Sequence, residues 1–171
     1  MGIGEMLLEL PGIGKVRRVH ALEHAAITLM SARNPNLRLV GRSTPNGYWL
    51  YGDVETDEVR RATEEALRRL QAGQAELAIH PRCGTNLAVA GVLTRLSSFV
   101  ASASFGRREN PLSKFPRVIM AATAALLVAQ PLGLLVQEKV TTCPDASRLS
   151  LGPIKRTERG NLVIHFVTVN G

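Results

Sequence analysis

The run VIMAATAALLVAQPLGLLV, Val118 to Val136, decides how the rest of the chain is read. It contains no charged residue, and only Thr123 and the Gln130-Pro131 pair interrupt its apolar character. At about 1.5 Å per residue, a helix over this run matches a bilayer core of roughly 30 Å. Pro131 predicts a kink in that helix. A second apolar stretch, Leu87 to Phe105, precedes it across the polar, basic link Gly106 to Arg117. That first stretch carries Arg95 near its middle together with several serines. A central arginine costs roughly 2.5–3.5 kcal/mol on insertion, so the first stretch depends on its partner helix. Together the two predict a transmembrane helical hairpin over residues 87–137. The alternative is a buried helical hairpin of a soluble protein. Arg107, Arg108, Lys114 and Arg117 lie in the link, and Arg82, Lys139 and Arg148 lie on the other side, so charge does not fix the orientation.

A helical hairpin returns the chain to the side where it started. Residues 1–86 and 138–171 should therefore share one face of the membrane, where they could build one mixed sheet. In the first segment, Lys15 to Arg33 has helical spacing, with Val16, Val19, Leu22, Glu23, Ala26, Ile27, Leu29 and Met30 on one broad face. His20 and His24 follow the edge of that face. Leu37 to Gly41 and Tyr48 to Gly52 read as two strands joined around Thr44-Pro45-Asn46-Gly47. After Thr56, a candidate N-cap, comes an amphipathic helix of about four turns that stops at Gly73. Its Glu64–Arg68 and Glu65–Arg69 spacings suit i,i+4 ion pairs. Ala75 to Ile79 is a short apolar stretch leading into a turn, His80-Pro81-Arg82-Cys83-Gly84-Thr85-Asn86. In the last segment Leu149 to Ile154 and Leu162 to Val169 read as strands around Arg159-Gly160-Asn161. The expected fold is α+β: a small domain of two helices and two β-hairpins on a two-helix transmembrane hairpin, divided as 1–86, 87–137 and 138–171.

Composition narrows the partners. Twenty-one Lys and Arg against 14 Asp and Glu give a net charge of +7, spread along the chain rather than gathered. With apolar helices present, this balance points to an anionic lipid surface before nucleic acid. Aromatic residues make up 4%, too few for a platform on which single-stranded nucleic acid stacks. Cys83 and Cys143 are the two cysteines and suggest no disulfide framework, so a reducing compartment is expected. The first ten residues include Glu5 and Glu9 and little positive charge, so no secretory signal is expected there and an internal segment must drive insertion.

The sharpest chemical feature is His20-Ala21-Leu22-Glu23-His24. Histidines at i and i+4 project from one face of a helix, close enough for both imidazoles to reach one tetrahedral ion. Glu23 could serve as the general base of a zinc hydrolase, and H-x-x-E-H is the order of the inverzincin peptidases. No downstream glutamate stands out as the third ligand those peptidases use. A pair of partly buried core histidines, with Glu23 pairing to one of them, would leave the same pattern. His80 and Cys83 add a nitrogen and a sulfur donor on one turn. With His20, His24 and His80 alone, a position stays open for catalysis. With Cys83 as well, the site is closed and structural.

These blocks carry a resemblance. Arg18-Val19-His20-Ala21-Leu22-Glu23-His24-Ala25, Gly41-Arg42-Ser43-Thr44-Pro45-Asn46-Gly47 and His80-Pro81-Arg82-Cys83-Gly84-Thr85-Asn86, followed by two apolar stretches, resemble a bacterial membrane family, domain of unknown function 6391. More distantly they are similar to a broader family described as metal-dependent membrane enzymes. The resemblance implies a metal site at His20, Glu23, His24, His80 and Cys83, and brings no established reaction.

Other signals have plainer readings. Leu10-Pro11-Gly12-Ile13-Gly14 resembles the turn of helix-hairpin-helix DNA-binding modules, which Arg17 and Arg18 would assist, but Arg18 stands where that module places a small apolar residue. Pro11 to Gly14 reads better as a helix start. His165, in an alternating strand, reads as a strand residue and not as a ligand. The resulting expectation is a membrane-bound zinc-dependent hydrolase, with a peptidase as one form of it and Glu23 activating water. It would be integral to the bacterial cell membrane with its soluble parts cytoplasmic, its partners the lipid bilayer and a peptide or protein substrate, homo-oligomers being open. The alternative is a non-enzymatic membrane protein whose structural zinc site supports an interaction surface.

Overall fold

The computed structural model describes residues 3–103, 111–160 and 162–171. Phe105, Arg107 and Arg108, and Asn161 of the C-terminal turn, lie outside the described residues. The chain forms two compact units, one from Met1–His80 with Glu138–Gly171, the other from Pro81–Gln137.

In the first unit, a short helix α1 (Ile3–Leu8) precedes α2 (Pro11–Arg33), which starts on Pro11 as its fixed φ favours. β1 (Val40–Thr44) and β2 (Gly47–Tyr51) form a hairpin across Pro45 and Asn46. The first strand lies three residues later than its apolar residues suggest. Leu37 and Leu39 pack on the core from the approach to the strand rather than from the sheet. Gly47 has φ +137, and a Cβ there would strike the Val167 carbonyl, so this turn requires glycine. Helix α3 (Thr56–Gln71) ends before Gly73, whose φ is +88. Its N-cap is Glu55 and not Thr56, since the Thr56 hydroxyl is 3.0 Å from His165 Nε2. Glu65 takes both Arg68 and Arg69, so Arg68 pairs with Glu65 and not with Glu64. A 3-10 turn, Ala75–Ala78, then leads to His80.

β3 (Ser150–Arg159) and β4 (Leu162–Asn170) complete a four-stranded sheet in the order β1-β2-β4-β3. The sheet is antiparallel throughout, not mixed, because β2 and β4 meet antiparallel through Tyr48↔Val167 and Leu50↔His165. That register turns Tyr48, Leu50, Val167 and Val169 into a core with Leu22, Ala26 and Met30 of α2 and Val59, Ala62 and Leu70 of α3. On the opposite face Trp49 and Phe166 pair with ring centroids 4.6 Å apart.

The second unit is the pair α4 (Gly84–Ala103) and α5 (Pro111–Val136), which pack along each other. Asn86 fastens them. Its Oδ1 accepts a 2.6 Å bond from Gln137 Nε2, its Nδ2 donates to the Pro81 carbonyl at 2.7 Å, and it presses so closely on Gly133 that a Cβ there would overlap it. A π-helical turn, Gln137–Thr141, follows α5. Both helices are long and apolar enough to cross a membrane. None of α4's residues is buried, unlike those of a core helix in a soluble protein.

Candidate metal centre

Helix α2 sets His20 and His24 one turn apart, with ring centroids 4.2 Å from each other, edge to face. Their nearest ligand atoms lie within 4.8 Å. Each ring is anchored from behind. His20 Nδ1 is 2.9 Å from the Thr141 carbonyl, and His24 Nδ1 is 2.8 Å from the Ala78 carbonyl. A carbonyl only accepts, so each imidazole carries a proton on Nδ1. Zinc-binding histidines are oriented and made more basic by such bonds.

The ring of His80, just beyond the 3-10 turn, lies 5.9 Å from that of His24. Within the first unit, His80 therefore stands beside His24. Cys83 lies near the start of the second unit, three residues beyond His80. There the Thr85 amide donates to its sulfur at 3.4 Å, and it forms no disulfide. Imidazole and thiol groups are both donors of the kind that can hold a metal ion. Nitrogen and thiolate donors suit a borderline-soft ion such as zinc better than a hard oxygen-seeking one.

Glu23 is only 4% exposed, and its carboxylate is turned toward β1. Ser43 Oγ donates to Oε2, and Gly41 lies so close beneath that a Cβ there would overlap the carboxyl group. Nearby, the Tyr48 hydroxyl is buried 2.6 Å from Thr63 Oγ1. Since Thr63 donates its own proton to the Val59 carbonyl, Tyr48 is the donor. Burial pushes the Tyr48 pKa well up, the Thr63 bond opposes this, and the charge of Glu23 adds to it. Residue spacing gives no indication that Ser43, Gly41 or the carbonyls of Ala78 and Thr141 belong to the site. The Gly41-Arg42-Ser43 block is the one available signal for the first two.

His165 is fully buried, with Nδ1 lacking a partner among the described residues. Burial lowers its pKa, Arg156 lowers it further, and Glu55 acts in the opposite direction. Arg17 and Arg18 both bond to Glu9, and Arg17 also reaches the carbonyls of Lys139 and Thr142. Pro11 to Gly14 begins α2, as its reading as a helix start requires.

Residues 15–154 match the family model described as Domain of unknown function (DUF6391), and the chain belongs to that family. It is also similar to a protein of Picosynechococcus sp. (strain ATCC 27264 / PCC 7002 / PR-6), described as uncharacterized. The two are 33% identical over 171 residues, covering 92% of this chain and 82% of the relative. No solved structure matches the chain.

Proposed function

We propose that the chain is an integral membrane protein that holds zinc through His20, His24 and His80, with Cys83 as a fourth donor or as part of the pocket wall, and that it hydrolyses peptides with Glu23 as general base. The observation that carries the metal reading is the pair of Nδ1 bonds to Ala78 and Thr141, which sets both imidazoles in the tautomer a metal needs. Zinc supplies Lewis acidity, polarising a carbonyl and lowering the pKa of a water. In this chain Glu23 accepts the proton and Ser43 holds its carboxylate in one orientation. The membrane reading is supported by Leu87, Phe99, Leu112, Met120 and Leu127, each more than two-thirds exposed on α4 and α5. The soluble unit then stands on the cytoplasmic side of a bacterial membrane.

One observation favours a second reading, a closed structural site of His20, His24, His80 and Cys83. The Glu23 carboxylate is engaged at β1 by Ser43 and Gly41, as a purely structural carboxylate would be. A Glu23→Gln variant separates the two. Assayed on fluorogenic casein in detergent, it should lose about 100-fold or more of the wild-type rate while keeping its zinc. A wild type that cleaves nothing, or a variant as active as wild type, removes the hydrolase and leaves the structural site.

A further inference from the structure

Within the two apolar runs, Leu87 to Phe105 and Val118 to Val136, Arg95 is the one charged residue, and neither run contains Asp or Glu. Arg95 is eleven residues after the first residue of α4 and eight before the last, so it lies about 16 Å and about 12 Å from the two ends. Helical side chains lean toward the N-terminus, which aims the guanidinium at the more distant end and makes escape to the headgroups hard. Leu93 and Ser97 line the groove that α4 shares with α5. Arg95 is two positions from each, which places it on the opposite side of α4, where it is exposed. Ala88, Gly91 and Ser98, at −7, −4 and +3 from Arg95, share that side with the larger, exposed Val92 and Phe99 at −3 and +4, so small and apolar residues together offer another helix a surface to pack on.

We infer that this face of α4 docks a transmembrane helix of another protein bearing Asp or Glu at mid-membrane depth, whose carboxylate pairs with Arg95. Charge decides the occupant. A second copy would set Arg95 against Arg95 and bring no carboxylate from either apolar run. The inference rests on the membrane reading of the hairpin and is independent of the metal centre.

The test uses the full-length chain in phosphatidylcholine vesicles, after confirming that it resists carbonate extraction. Binding is measured by energy transfer to synthetic polyleucine transmembrane helices that differ only in a central Glu, Gln or Leu. The Glu helix should bind about tenfold more tightly than the Leu helix. Arg95→Leu should abolish that preference and Arg95→Lys keep most of it. Equal binding of the Glu and Leu helices overturns the inference, as does a preference that survives Arg95→Leu. Self-association of the wild type that Arg95→Leu abolishes also overturns it, in favour of a second copy. Extraction by carbonate removes the membrane reading itself, and this inference with it.

Discussion

His24 Nδ1 donates to the carbonyl of Ala78 at 2.8 Å, tying the middle of α2 to the turn that presents His80. One bond thus fixes the tautomer of one candidate ligand and the approach of the next. Sites of this kind depend on such supporting contacts as much as on the ligands themselves.

The Glu23–Gly41 contact predicts opposite effects for two glycines. A methyl group added at Gly12, early in α2, meets nothing within 4 Å, so Gly12→Ala should stabilise by about 0.5–1 kcal/mol through helix propensity. Gly41→Ala drives a methyl into the buried carboxylate and should destabilise by about 1–3 kcal/mol. Thermal melts followed by circular dichroism give the two signs. A neutral Gly41→Ala would show that the carboxylate is not confined there.

Tyr48 and Thr63 predict an asymmetry. Tyr48→Phe leaves Thr63 still donating to Val59 and should cost about 1 kcal/mol. Thr63→Val strands the buried Tyr48 hydroxyl and should cost more, about 1–3 kcal/mol. Urea titrations of the two variants should rank them in that order.

His165 predicts a pH dependence. Its folded-state pKa is depressed, chiefly by burial and then by Arg156, so the unfolded chain binds the proton first. Stability is therefore complete above the ordinary histidine range, near 6.5, and falls as pH drops through that range toward the folded-state value. The Tm should decline between pH 7.5 and 5.5, each lost kcal/mol appearing as about 2–4 °C. His165→Gln should decline less over the same interval. Parallel declines would show that His165 does not carry the effect.

Helix α2 is legible in the sequence because its apolar spacing and Pro11 both act locally, and the two apolar runs announce α4 and α5 by length. The spacing sets β1 too early because Leu37 and Leu39 alternate like a strand while serving the core from outside the sheet. Thr56 has the chemistry of a cap, but its hydroxyl is taken by His165, 109 residues away, which no local rule foresees. The histidine pair is legible from its i,i+4 spacing. The carbonyls that fix its tautomer are not, because Ala78 and Thr141 offer only backbone and reach α2 through the tertiary fold. Likewise, the motif places Glu23 beside the histidines but says nothing of Ser43 and Gly41, which hold it.

Metal analysis of the purified full-length protein beside a His20→Ala, His24→Ala double variant tests the central claim most directly, with circular dichroism confirming that both are folded. The wild type should retain about one zinc ion per chain after extensive dialysis, and the folded double variant should fall to background. Equal zinc in the two proteins, or none in either, would contradict the metal centre.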